Sequence, residues 1–100
     1  MNELSETKEY LTFTLGGESI ALEAVQVREV LKYTPITQAP RMPPYMTGVI
    51  NVRGNVIAVI DLALVLGVNP LPDPEKGWLV ITEVHIQDET MLAGILADTV

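Results

Sequence analysis

The sequence predicts an all-β fold with one or two short helices, and three observations point there. Apolar and polar residues alternate at period 2 in several short runs. Glycine-bearing turn steps separate those runs. The apolar stock is Val, Leu, Ile and Ala, with only 5% aromatic residues, a composition that suits pleated, half-buried surfaces. At 48% hydrophobic, the 100 residues hold enough material for one packed core.

Residues 1–8 are polar and acidic and read as a flexible tail. Leu11, Phe13 and Leu15 then alternate with Tyr10, Thr12 and Thr14, the signature of a strand with one buried face. Gly16-Gly17 offers positive φ for a hairpin turn, and Glu18 to Leu22 returns as a second strand. In the next segment Ala24, Val27, Val30 and Leu31 fall at i, i+3, i+6 and i+7, which predicts a short helix over Glu23 to Leu31. Pro35, Pro40, Pro43 and Pro44 make the following stretch an extended crossing, since proline removes donors and fixes φ.

Val49 to Arg53 and Val56 to Ile60 flank Gly54-Asn55, which predicts a second hairpin. Its return strand is apolar at every position and is expected to be sandwiched. Asp61 is placed to cap a short helix, Leu62 to Leu66, that Gly67 ends. Val68 to Gly77 is a proline-rich loop. Trp78 to Ile86 and Met91 to Ala97 form a last hairpin about Gln87-Asp88-Glu89. Little chain follows Ala97, so the outer strand of that hairpin is expected to be an open apolar edge. The expected remedies are a homo-oligomer through this strand or a natural chain that continues past Val100.

Composition and motifs restrict the function. A net charge of -7 gives no cationic footprint for nucleic acid and no attraction to anionic lipid. No apolar stretch approaches the roughly 20 residues of a membrane span, and the polar, acidic start is unlike a signal peptide; a cytoplasmic protein is expected. Cysteine is absent, so disulfides, thiolate metal sites and a cysteine nucleophile are all excluded. Ser5 and Ser19 lie in no nucleophile elbow, and Gly16-Gly17 joins two strands without opening a phosphate-binding helix. His85, near Glu83, Asp88 and Glu89, has no second imidazole to share a metal. Neither catalytic residues nor a metal or other cofactor are expected. Trp78 is read as core or as an interface anchor.

Three segments resemble the CheW family of chemotaxis adaptors, which includes the CheW-like domains of chemotaxis kinases. Tyr10 to Leu22, with Val25 to Val30 and Tyr33, is similar to the family's opening strand pair and the V-x-E-I/V helix after it. Gly48-Val49-Ile50-Asn51-Val52-Arg53-Gly54, followed by an apolar strand and Asp61-Leu62, resembles the family hallmark G-V-x-N-x-R-G. Gly94-Ile95-Leu96-Ala97-Asp98-Thr99-Val100 is similar to a later family strand. Departures occur at Arg28 and Leu31-Lys32, and family members continue for several tens of residues more. The resemblance implies an SH3-like double β-barrel of the CheW type over residues 9–100, its second barrel incomplete.

It further implies a non-enzymatic adaptor whose partners are a CheA-type histidine kinase and the cytoplasmic tip of methyl-accepting chemoreceptors. Val27, Glu29, Gly48 and Arg53 match positions associated with that coupling. Glu29 and Arg53 carry opposite charges between apolar neighbours and are expected to pair near the surface, either for a partner or structurally. Gly48 has the second reading of a backbone position that admits no side chain. A fragment of a kinase regulatory domain, a CheV-like adaptor, or a small-ligand β-barrel stand as alternatives.

Overall fold

The computed structural model describes residues 8–38, 40–69, 73–86 and 88–100. Apart from Lys8, the expected tail lies outside the described residues, as do Gln87 of the last turn and residues 70–72 of the proline-rich loop.

Among the described residues, seven strands and one short α-helix follow in order: β1 (Tyr10–Leu15), β2 (Glu18–Glu23), β3 (Val27–Lys32), β4 (Met46–Val52), β5 (Asn55–Ile60), α1 (Leu62–Leu66), β6 (Trp78–Ile86) and β7 (Glu89–Ala97). The fold is all-β with little helix, in two sheets. One is the β1–β2 hairpin; the other has the order β3-β6-β7-β5-β4. Gly16 and Gly17 both take positive φ in the first turn, as the hairpin requires. Asp61 caps α1 by accepting the Leu64 N–H at 3.1 Å, and Gly67 ends the helix in the left-handed region.

The helix expected over Glu23 to Leu31 does not form. Ala24–Gln26 is a single 3-10 turn and β3 takes the rest, paired antiparallel with β6. The cause is a β-bulge. Val27 pairs with Thr82 and Val30 with Val80, so four residues on β3 oppose three on β6, with Arg28 the extra one. The inserted residue stretches a period-2 pattern into a spacing of three, which mimics one face of a helix. β-branched Val27 and Val30 then satisfy the strand.

Each face of the large sheet carries its own core. On one face Val80, Ile95 and Ala97 pack against Phe13 and Leu15 of the hairpin and Ala63 of α1. On the other, Leu79, Ile81 and Leu96 meet Ile50, Ile57 and Val59, with Leu31, Tyr33 and Ile36 alongside. Leu79, Val80, Val59 and Ala97 are fully buried. Leu79, Val80 and Val59 each contribute about 1.5–3 kcal/mol relative to exposure. Thr82, the buried polar residue of this region, donates from Oγ1 to the Gln26 carbonyl at 3.1 Å, tying the turn before β3 to the sheet.

Two further expectations are corrected. β7 is no open edge: it lies between β6 and β5, parallel to β5 with Ala58, Val59 and Ile60 opposite Ala93, Gly94 and Ile95. The remedy of an oligomer built on that edge therefore loses its basis. β5 is also not sandwiched along its length. Ile57 and Val59 are buried, Ala58 and Ile60 are half-buried and Val56 is exposed. The uncovered apolar surface is thus a face, not an edge. Ala58, Ile60, Val84, Met91 and Ala93, with Tyr45 and Met46, line a depression of about 300 Å³ there.

Candidate functional site

The second hairpin turns one residue earlier than the Gly-Asn step predicts. Val52 and Asn55 close the ladder, leaving Arg53 and Gly54 as the turn residues, both at positive φ (51° and 86°). This is the backbone twist that two-residue hairpins favour, though a non-glycine residue adopts it uncommonly. The Gly54 N–H donates to Asn51 Oδ1 at 2.9 Å, so the Asn side chain braces the turn. Asn-x-Arg-Gly is therefore a local device that fixes a strained loop with an arginine at its tip.

From that tip Arg53 reaches Glu29 on β3 in a two-pronged ion pair; Nη2 to Oε2 is 2.7 Å and Nη1 bonds Oε1. The Arg53 side chain is 74% exposed against 22% for Glu29. The hydrogen bond that Arg53 donates to Glu29, then the Glu29 charge, pushes the Arg53 pKa up. A raised cation pKa stabilises below the ordinary arginine range and is lost only as pH rises beyond it. Arg53 is thus cationic at every pH near neutrality.

The bulge on β3 adds a second pair that the sequence did not reveal. Arg28 is the inserted residue, and its guanidinium bonds the Glu83 carboxylate on β6. The Arg28 side chain is 57% exposed and Glu83 21%. Arg28, Glu29 and Arg53, with Val52, Asn55, Ile57, Ile81 and Leu92, line a depression of about 210 Å³. A wider depression of about 410 Å³ lies on the other side of the Glu29–Arg53 pair, between Leu31, Lys32, Tyr33, Thr34 and Asn51. The pair therefore forms a ridge between two hollows.

Of the expected site residues, the fold brings Glu29 and Arg53 together and leaves the other two apart. Val27 turns to the opposite face and packs against the hairpin core. Gly48 is buried on β4, where an added Cβ would stand 2.5 Å from the Thr37 carbonyl oxygen and 2.6 Å from Ile36 Cγ2. Thr37 and Val49 exchange backbone hydrogen bonds at 2.9 and 2.8 Å beside it, so the absent side chain lets the crossing segment lie on the sheet. Trp78 is half-buried, with Lys32 Nζ 5.8 Å from its ring centroid. His85 is exposed and shares a hydrogen bond with Thr90. Among the described residues, no three His, Asp or Glu side chains are placed to hold a metal ion, and no helix is long and apolar enough to cross a membrane.

The chain is 34% identical to the probable chemotaxis protein CheW of Rhizobium etli over 93% of its own length and 57% of that protein's. It is 31% identical to the protein PilI of Pseudomonas aeruginosa over 88% of this chain and 47% of that one. The scaffolding protein TtCheW of Thermoanaerobacter tengcongensis has a similar structure: TM-score 0.78 at 31% identity, over 94% of this chain and 62% of that one. The chain thus spans a little over half the length of the first relative it matches. The family model described as the CheW-like domain matches residues 9–100, and the chain belongs to that family.

Proposed function

We propose that the chain is a non-enzymatic adaptor of chemotaxis-type signalling, acting in the cytoplasm to couple chemoreceptors to a CheA-type histidine kinase. The observation that carries this reading is the coincidence of the family match with an exposed Arg53 on a braced turn, held by Glu29 between two hollows. An exposed ion pair adds little to folding. Once a partner excludes water from it, the same pair weighs heavily in binding. Of the two side chains Arg53 is the more exposed to a partner, and the residues that brace it, Asn51 and Gly54, belong to the same family segment.

The test is reconstitution with the receptor tip and kinase from the source genome. The chain binds both, and it alters kinase autophosphorylation only when the receptor tip is present. Arg53→Ala weakens binding by at least about tenfold, with the thermal midpoint almost unmoved. Unchanged binding by Arg53→Ala would remove the pair from the coupling surface. Turnover of nucleotide by the chain alone would overturn the adaptor reading.

A further inference from the structure

The two ion pairs at the β3 bulge share an asymmetry. In each, the carboxylate is about four-fifths covered while the guanidinium stands mostly in solvent: Glu83 21% against Arg28 57%, and Glu29 22% against Arg53 74%. The glutamates anchor the arginines from beneath, and what faces outward is cationic. Lys32, at the far end of β3, alternates to the other face and lies over the Trp78 ring, so the cationic strip consists of Arg28 and Arg53. Two of the six basic residues of a chain with net charge -7 therefore lie along one rim. Between Arg28 and Arg53 that rim borders a hollow with an aliphatic floor, Val52, Ile57, Ile81 and Leu92.

We propose that this rim docks an acidic segment of a partner protein, whose one aliphatic side chain seats on Ile57, Ile81 and Leu92 while its flanking carboxylates meet Arg28 and Arg53. The proposal deepens the adaptor reading above, on which it rests, by naming the chemistry of the segment received and adding Arg28 as a specificity residue. Charge complementarity selects the partner. The arginines are held in place before binding, so little side-chain freedom is lost on docking. A hollow of about 210 Å³ takes a leucine-sized group and little more. Nucleic acid could also meet two arginines, but the surrounding net charge of -7 opposes it.

Three short synthetic peptides test this directly: leucine flanked by glutamates, leucine flanked by lysines, and alanine flanked by glutamates. Fluorescence anisotropy with the whole chain is expected to show the Glu–Leu peptide binding at least about tenfold tighter than the other two, and weakening steeply with salt. Its binding shifts the amide resonances of Ile57, Ile81 and Leu92. Arg28→Gln weakens it by about tenfold. Glu83→Gln leaves Arg28 cationic and unpaired, and so binds the peptide as tightly as the parent or tighter. A merely structural Arg28–Glu83 pair would make both variants respond alike, with loss of stability and no peptide selectivity. Equal binding of the lysine peptide, binding of none of the three, or indifference to Arg28→Gln overturns the proposal. Peptide selectivity without binding to receptor tip or kinase would sink the adaptor reading and leave this one; receptor and kinase binding without peptide selectivity would do the reverse.

Discussion

The two ends of the β6–β7 strand pair share a ladder and differ in everything laid over it. From Trp78 to Thr82, opposite Ala93 to Ala97, one face lies under the β1–β2 hairpin and α1 and the other against β4, β5 and the Tyr33–Ile36 segment. From Glu83 toward the turn, Val84 is half-buried and Met91 and Leu92 are exposed. Met91 borders the apolar depression beside β5, Leu92 the hollow beneath the arginine rim as well. The same backbone pairing thus supports a core at one end and an accessible surface at the other. The first end is built for stability, and the second offers the accessible surface that the proposed docking uses.

The sharpest way to break that division is to empty the covered end. Leu79 is fully buried among Ile50, Val59 and Leu96. Leu79→Ala removes those contacts where the surrounding strands cannot collapse, and is expected to cost about 2–5 kcal/mol in chemical denaturation. A loss no larger than that of an exposed substitution would show that the covered end does not govern stability.

A smaller effect is expected from Gly48→Ala. The new methyl group meets backbone at Thr37, which cannot swing aside as a side chain tip would. Either β4 shifts or the crossing segment lifts off Ile50 and Ile57, at a cost of about 1–3 kcal/mol. The measurement that separates structure from coupling is binding per folded molecule. Gly48→Ala lowers the unfolding midpoint while partner affinity of the folded fraction stays unchanged. Lower affinity at unchanged stability would move Gly48 to the recognition surface.

What the sequence disclosed and what it hid follow from the range of each interaction. The β1–β2 hairpin, the Asp61 cap and the Gly67 stop were legible because each is decided within a few neighbouring residues. β3 has the sequence period of a helix because its bulge is fixed by pairing with β6, some fifty residues away, and a bulge alters the very periodicity that marks a strand. The same long-range pairing hid Arg28 and Glu83. Nothing local says that the inserted residue shares a rim with Glu29 and Arg53. β7 reads as an edge from the sequence because its parallel partner, β5, arrives across the intervening α1 and loop. Glu29 and Arg53 were legible as a pair only through the family resemblance, and the turn that aims Arg53 was legible within one residue.

The smallest expected effect tests the open end itself. Met91 is 42% exposed on the depression beside β5, where Ala58, Ile60 and Val84 also lie. Met91→Gln keeps the length and flexibility of the side chain and exchanges only its apolar surface for an amide that solvent can hydrogen-bond. Because that surface is already largely in water, little transfer free energy is at stake, and the strand ladder to Val84 is untouched. The unfolding free energy is expected to move by no more than about 0.5 kcal/mol. Leu79→Ala in the same measurement sets the scale. A loss for Met91→Gln approaching that of Leu79→Ala would mean that Met91 is covered in solution by something beyond the described residues, and the two ends of the strand pair would cease to differ.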